Sequence, residues 1–243
     1  MVTKSRLKLI KSLSRKKNRE EHQLFIVEGY KSIQELTQTP LRLEQILVTE
    51  GNHHLDHLDV ELISKKEMDQ ISMMKTAPGY LAVFTIPETT SFPDKELIVA
   101  LDDIKDPGNL GTIIRMCDWF NVRHILCSLE TVDAYNPKCV QASMASLGRV
   151  HVHYVDLKEY LNKQDAPVYA TAMDAPSVYE TQLPKSGILL MGNESAGVSL
   201  DLLELGTTIS IPSYGESSAT ESLNVATATS ILLAEWRRAT TET

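Results

Sequence analysis

The sequence predicts an α/β fold: a C-terminal, mostly parallel sheet with helices on both faces, preceded by a small α/β domain. Three observations carry this. From Leu97 onward, short apolar strand candidates alternate regularly with helical segments, the pattern of a sheet covered on both faces. Before Ile86 the same alternation occurs over about ninety residues. Between the two, Ile86–Pro87 and Phe92–Pro93 bracket the polar stretch ETTS, a linker signal. The domains expected are therefore 1–88 and 95–243.

In the front domain, strands are predicted at Leu24–Val27, Gln45–Thr49, Val60–Ile63 and Tyr80–Ile86. Helices are predicted at Ser5–Arg19, Tyr30–Thr37 and Ser64–Met74. After the linker, strands are expected at Leu97–Leu101, His124–Cys127, Val150–Val155, Val168–Ala172, Ile188–Met191 and Thr208–Ile211. Helices fall at Leu110–Phe120, Pro137–Leu147, Leu157–Asn162, Ser199–Leu205 and Ser222–Arg238. Ser222 reads as the N-cap of the last, an almost wholly apolar helix, with Asn224 in its first turn.

Composition narrows the function classes. No apolar run approaches the roughly 20 residues that cross a bilayer, and the basic N-terminus lacks the apolar core of a signal peptide. The three cysteines, Cys117, Cys127 and Cys139, form no CxxC pair, which fits reduced, buried thiols in the cytoplasm. Net charge is −8, yet residues 1–19 hold Lys4, Arg6, Lys8, Lys11, Arg15, Lys16, Lys17 and Arg19 and no acidic group. A cationic arm on an acidic body suits a phosphate backbone; a solvated amphipathic helix is the bland alternative. His53, His54 and His57 lie in a polar loop with no fourth ligand at a recognisable spacing, so no metal is expected. His151 and His153 share one strand face and are expected at the surface.

In parallel sheets, ligands bind at the carboxyl ends of strands, here the loops after Leu101, Met191 and Ile211. The first, LDDIKDPGNLGTIIR, opens a helix that carries Arg115 among apolar neighbours. Such an arginine takes a phosphate or a carboxylate; an internal ion pair to Asp102, Asp103 or Asp106 is the simpler reading of that residue alone. There is no GxGxxG, which disfavours a dinucleotide oxidoreductase. The second, GNESAG, sets Glu194 at a strand end beside Gly192 and Gly197. The third is long and polar and delivers Ser222, Leu223 and Asn224.

Taken together, NLGTIIR (Asn109–Arg115), GNESAG (Gly192–Gly197) and SLNVA (Ser222–Ala226) resemble, in order and spacing, the three motifs of the SpoU (TrmH-like) RNA 2′-O-ribose methyltransferases. The resemblance covers Lys95–Arg238. The front segment with FIVEGYKSIQEL (Phe25–Leu36) looks like the small substrate-binding domain often fused to these enzymes. The resemblance implies a SPOUT fold with a deep trefoil knot, S-adenosylmethionine as cofactor, and a homodimer. It implies a catalytic set of Asn109, Arg115, Glu194, Ser222 and Asn224. Cofactor contacts fall at Thr171, Gly192, Asn193, Ile211, Pro212 and Leu223. RNA contacts are expected at Lys4, Arg6, Arg15, Lys16, Lys17 and Arg19. The loop Tyr214–Glu221 is longer than the family's usual form.

The expected reaction is in-line methyl transfer to a ribose 2′-hydroxyl. An arginine side chain is a poor base, so Arg115 suits a phosphate clamp and stabiliser of alkoxide charge better. With a separate front domain and its basic helix, analogy with the family favours ribosomal RNA over transfer RNA. A non-catalytic RNA-binding or ribosome-assembly factor on the same fold would be expected to lose part of the five-residue set, and this chain keeps all of it.

Overall fold

The computed structural model describes residues 2–50, 58–88, 96–215 and 222–241. The chain divides into two compact units, Met1–Glu88 with Asp133–Arg149, and Thr89–Val132 with Val150–Thr243.

The first unit opens with α1 (Lys4–Ser12) and α2 (Lys16–His22), two helices where the sequence suggested one. The break has local causes. Ser12 Oγ bonds Leu9 O, Asn18 Nδ2 bonds Ser12 O and Arg19 Nη1 bonds Leu13 O, so side chains take carbonyls that would have continued the ladder. Leu7, Ile10 and Leu13, three residues apart, face one way and bury with Ile26, Leu47, Leu81 and Val83.

Strands β1 (Leu24–Glu28), β2 (Leu43–Thr49), β3 (Glu61–Ile63) and β4 (Tyr80–Thr85) form a sheet in the order β1-β4-β2-β3. β4 runs antiparallel to both neighbours, and β3 pairs parallel with β2. Helix α3 (Tyr30–Leu36) follows β1. Helix α4 (Lys65–Ile71) starts in a capping box of Ser64 and Glu67. It stops short of Met74 because the buried Glu28 carboxylate takes Ser72 Oγ and the Met73 amide.

In the second unit, β5 (Leu97–Leu101), α5 (Pro107–Trp119) and β6 (His124–Cys127) come first. The chain then returns to the first unit for α6 (Pro137–Ser143), although this segment lies inside the span 95–243. Asp133 pairs with Arg19, Tyr135 packs on Phe25 at 4.9 Å, and Arg149 meets Glu35 at 2.9 Å. These contacts are scattered through both segments, so nothing in the periodicity announces them.

The second unit resumes with β7 (His151–Tyr154), α7 (Leu157–Leu161), β8 (Val168–Thr171), β9 (Gly187–Met191), α8 (Leu200–Leu203), β10 (Thr207–Ile209) and α9 (Val225–Thr241). The six strands are all parallel, in the order β10-β8-β9-β5-β6-β7. One face packs Ile98, Ala100, Ile188, Leu190 and Ala170 on Leu157, Leu161 and Leu202. Residues of the other parity meet α9: Tyr169 sets its ring edge-on to Trp236 at 5.2 Å. Arg237 of α9 bonds the carbonyls of Phe120 and Asn121, capping the C-terminus of α5. One expectation fails here. His151, at the start of β7, is exposed, but His153, two residues further into the strand, is buried with its Nε2 3.1 Å from His124 Nδ1.

Candidate active site

Strands β8, β9 and β5 lie side by side, with β10 next to β8, so the loops that leave their carboxyl ends adjoin. The first loop ends at Asp106, whose Oδ1 accepts the Asn109 amide at 2.9 Å, and Pro107 supplies a preset φ at the first helical position. Asn109 therefore stands in the first turn of α5. Its Nδ2 donates to Glu194 Oε1 at 2.8 Å, and its Oδ1 accepts from Asn224 Nδ2 at 2.9 Å. The Asn224 Oδ1 in turn accepts the amides of Ala226 (3.0 Å) and Thr227 (3.2 Å).

The polarity of this chain is fixed from end to end. Backbone amides can only donate, so Asn224 must present its nitrogen to Asn109, and Asn109 its nitrogen to the carboxylate. Three side chains from three loops are thereby locked in orientation. The cap of α9 is Asn224 rather than Ser222: an asparagine one residue before Val225 can reach two free amides of the first turn, and Ser222 lies exposed two residues earlier.

The second loop leaves β9 through Gly192. A Cβ there would lie 2.1 Å from Gly197 C and Val198 N, so only glycine lets the strand end pass the returning chain. Asn193 and Gly197 exchange two backbone bonds, at 3.0 and 2.9 Å, with Gly197 at φ +71°. The Asn193 side chain works within the loops. Its Oδ1 accepts the Ser195 and Ala196 amides, and its Nδ2 donates to Asp103 O at 2.8 Å.

Arg115 is exposed and takes no part in this chain of bonds. The internal ion pair does not form, because each nearby carboxylate is engaged elsewhere. Asp102 Oδ2 accepts the Ser199 amide, Asp103 pairs with Lys105, and Asp106 caps α5. Helical spacing sets Arg115 on an exposed strip with Thr112 and Trp119. An exposed guanidinium on the helix that the first loop opens is available to an anion.

S-adenosylmethionine, which the motif resemblance implies, finds suitable groups. Thr171, Gly192 and Ile211 follow or end three adjacent strands. Ile211 and Pro212 are half-buried, and Leu223, one residue before Asn224, exposes an apolar side chain. Thr171 Oγ1 donates to Leu190 O at 3.2 Å. Ser217–Thr220, in the lengthened loop, lie outside the described residues, as do His53, His54 and His57. Sequence reasoning did not single out Asp106, Ser128 or Thr131 as site residues. Only the first left a signal, an aspartate directly before a helix-opening proline.

Of the arm residues, Lys4, Arg15, Lys16 and Lys17 are exposed and Arg6 is half-buried, with its Nε on Gln45 Oε1. Arg19 is withdrawn from that set. It is 2% exposed, and its guanidinium is held by Asp133 and Leu13 O, so it faces the interior of the unit.

Residues 96–234 match the SpoU rRNA methylase family, and residues 4–82 match the MRM3-like substrate binding domain. The Bacillus subtilis 23S rRNA (guanosine(2553)-2′-O)-methyltransferase is 30% identical over 92% of this chain and 92% of its own length. A tRNA (guanosine(18)-2′-O)-methyltransferase of Thermus thermophilus is 32% identical over 59% of this chain and 75% of its own. Among solved structures, the AdoMet-bound rRNA methyltransferase of Sinorhizobium meliloti superposes with a TM-score of 0.86 at 27% identity. That superposition covers 98% of this chain and 96% of the other.

Proposed function

Because the chain belongs to the SpoU rRNA methylase family, and so is an S-adenosylmethionine-dependent RNA 2′-O-ribose methyltransferase, we propose that its target is ribosomal RNA. Three lines support the choice. The rRNA-modifying Bacillus relative aligns with both units, whereas the tRNA-modifying Thermus relative aligns with 59% of the chain. The front residues match a substrate-binding domain. They also carry Lys4, Lys8, Lys11, Arg15, Lys16 and Lys17 exposed on one short arm, the footprint of a phosphate backbone. In this reading residues 1–88 hold RNA and 95–243 carry the chemistry.

The observation that carries the mechanism is the chain Asn224–Asn109–Glu194, with Arg115 exposed on the helix that carries Asn109. When bound, S-adenosylmethionine supplies a methyl on a sulfonium, a donor with its own leaving group. The protein's share is to align the ribose and lower the cost of removing a proton from a weakly acidic alcohol. Arg115 clamps the phosphate next to the target ribose and stabilises the alkoxide charge that develops. Asn109 holds Glu194 in place at the 2′-hydroxyl, where its free carboxylate oxygen accepts that proton. Asn224 orders Asn109 and opens α9, and Ser222 lines the same approach. Gly192, Ile211 and Leu223 cradle the donor through backbone groups, with Thr171, Asn193 and Pro212 framing them.

The enzyme works as a homodimer in this proposal. Trp119 at 82% exposure and Met173 at 70% leave apolar surface on the catalytic unit that a second copy would cover. A cytoplasmic setting agrees with three free, buried cysteines. Among the described residues no helix is long and apolar enough to cross a membrane, and no cluster could hold a metal.

The test is ribose-methylation mapping of ribosomal and transfer RNA from cells with and without the gene. Loss of one methyl in ribosomal RNA is expected, and a loss confined to transfer RNA would overturn the target assignment. Arg115→Ala should cut transfer by about a thousandfold while S-adenosylmethionine binding by calorimetry persists; retained turnover would remove Arg115 from its role.

A further inference from the structure

Asp103, directly behind the site, holds a left-handed backbone at φ 59°. A non-glycine residue keeps that conformation only where its surroundings over-determine it. Here they do. The Asp103 amide donates to Ser128 Oγ at 3.0 Å, and the next amide, Ile104, donates to Thr131 Oγ1 at 3.2 Å. The Asp103 carbonyl accepts Asn193 Nδ2 at 2.8 Å, and the Ile104 carbonyl accepts the Val132 amide at 2.8 Å.

Ser128 and Thr131 lie in no motif and are 5% and 2% exposed. Their hydroxyls lie 3.2 Å apart, and Thr131 donates to Leu101 O at 3.3 Å. One proton per hydroxyl settles the direction of the pair. With the Thr131 proton on Leu101, Ser128 donates to Thr131, so Ser128 is free to accept Asp103 and Thr131 to accept Ile104. Every donor has one acceptor, and the turn Leu101–Ile104 is bonded at four successive backbone positions.

This turn joins both walls of the site. Three residues on, Asp106 opens α5 and places Asn109 and Arg115. Across the turn, Asn193 is the residue before Glu194. We propose that Thr131 and Ser128 are positioning residues for methyl transfer: their hydroxyls hold the left-handed turn at Asp103, and so set the distance between the Asn109–Arg115 wall and the Glu194 wall. The proposal rests on the methyltransferase reading of the same site. It gives a function to two buried hydroxyls that valine and alanine could replace if packing were their only task.

The test compares Thr131→Val, which keeps the shape and removes the hydroxyl, with Thr131→Ser, which keeps the hydroxyl. Transfer is followed from labelled S-adenosylmethionine to bulk ribosomal RNA from a strain that lacks the gene. Thr131→Val should lower kcat about tenfold or more with the KM for S-adenosylmethionine within about twofold, and Thr131→Ser should stay near the parent. Adding Asp103→Gly to Thr131→Val should restore most of kcat, since glycine adopts positive φ without support. Should Thr131→Val fail to fold, Ser128→Ala carries the same expectation and the same rescue. A variant that loses melting temperature but keeps kcat would overturn the proposal, as would a loss of kcat that Asp103→Gly leaves untouched. Amide exchange at Asp103 and Ile104 is read in parallel. If the unaltered protein methylates no RNA, the functional reading fails; faster exchange in Thr131→Val then still supports the turn's dependence on the hydroxyls, and unchanged exchange overturns it.

Discussion

The two ends of the six-stranded sheet each carry a partly buried polar cluster, built on opposite principles. At the carboxyl end, Asn109, Asn193, Glu194 and Asn224 tie three loops together through amides. At the amino end, His124 of β6 stacks on His151 and His153 of β7 at 5.1 and 5.3 Å between ring centroids. Amides keep one donor and one acceptor side at any ordinary pH, whereas an imidazole changes its bonding with a single proton. The three asparagines of the site end have a fixed direction and hold Glu194, its one titratable member, in place, which is what a geometry to be held through many turnovers requires.

Within this contrast, the largest effect should come from giving the site end the far end's weakness. Asn109→Asp keeps an oxygen for Asn224 but turns the donor to Glu194 into a second carboxylate. At neutral pH the two like charges repel, and kcat should fall by about a hundredfold. The same repulsion raises the pKa of one of the pair, so a proton returns to the contact as pH falls and part of the activity with it. A variant whose rate loss is the same at pH 6 and pH 8 would show that the Asn109–Glu194 bond does not set the rate.

Asn224→Ala should do less. It removes the cap of α9, worth about 1 kcal/mol, and one of the two bonds on Asn109, while the Glu194 bond remains. A drop in melting temperature together with a kcat loss of about tenfold is expected, with the KM for S-adenosylmethionine little changed. Equal losses in Asn109→Asp and Asn224→Ala would mean that the chain of bonds acts as one unit rather than as a strong link and a weaker one.

The contrast between the two ends also decides what was legible in the sequence. The strand–loop–helix alternation gave the parallel sheet, and the motifs pointed to Asn109, Glu194 and Asn224, which the fold joins in one chain of bonds. Single-residue direction was not legible. Ser222 has as good a capping side chain as Asn224, and only the start of α9 at Val225 decides between them. Arg19 looks like its arm neighbours until Asp133, 114 residues away, is placed beside it. The same holds for His153, which shares a strand face with the exposed His151 but is buried against the His124 ring. For Arg19 and His153 a long-range partner settles the matter, and periodicity carries no record of partners.

The smallest effect separates the two ends by pH. Burial, with His124 and His151 beside it, lowers the His153 pKa from 6.5 to about 4, and burial also lowers that of His124, with Glu96 pulling the other way. In the unfolded chain these rings take a proton near the ordinary value; in the folded one they resist. Between about 6.5 and about 4 the unfolded state therefore binds more protons, so stability is full above that window and is lost as pH falls through it. For His153 the loss should reach about 2 kcal/mol, less than the full shift implies, since water reaches the open side of the stack. Urea unfolding at pH 7.5 and pH 5 measures it. His153→Phe keeps a ring in the stack and removes the proton, so its stability should change less over that interval than the parent's. If both change alike, the acid sensitivity comes from carboxylates elsewhere, and the histidine end is as indifferent to protons as the amide end.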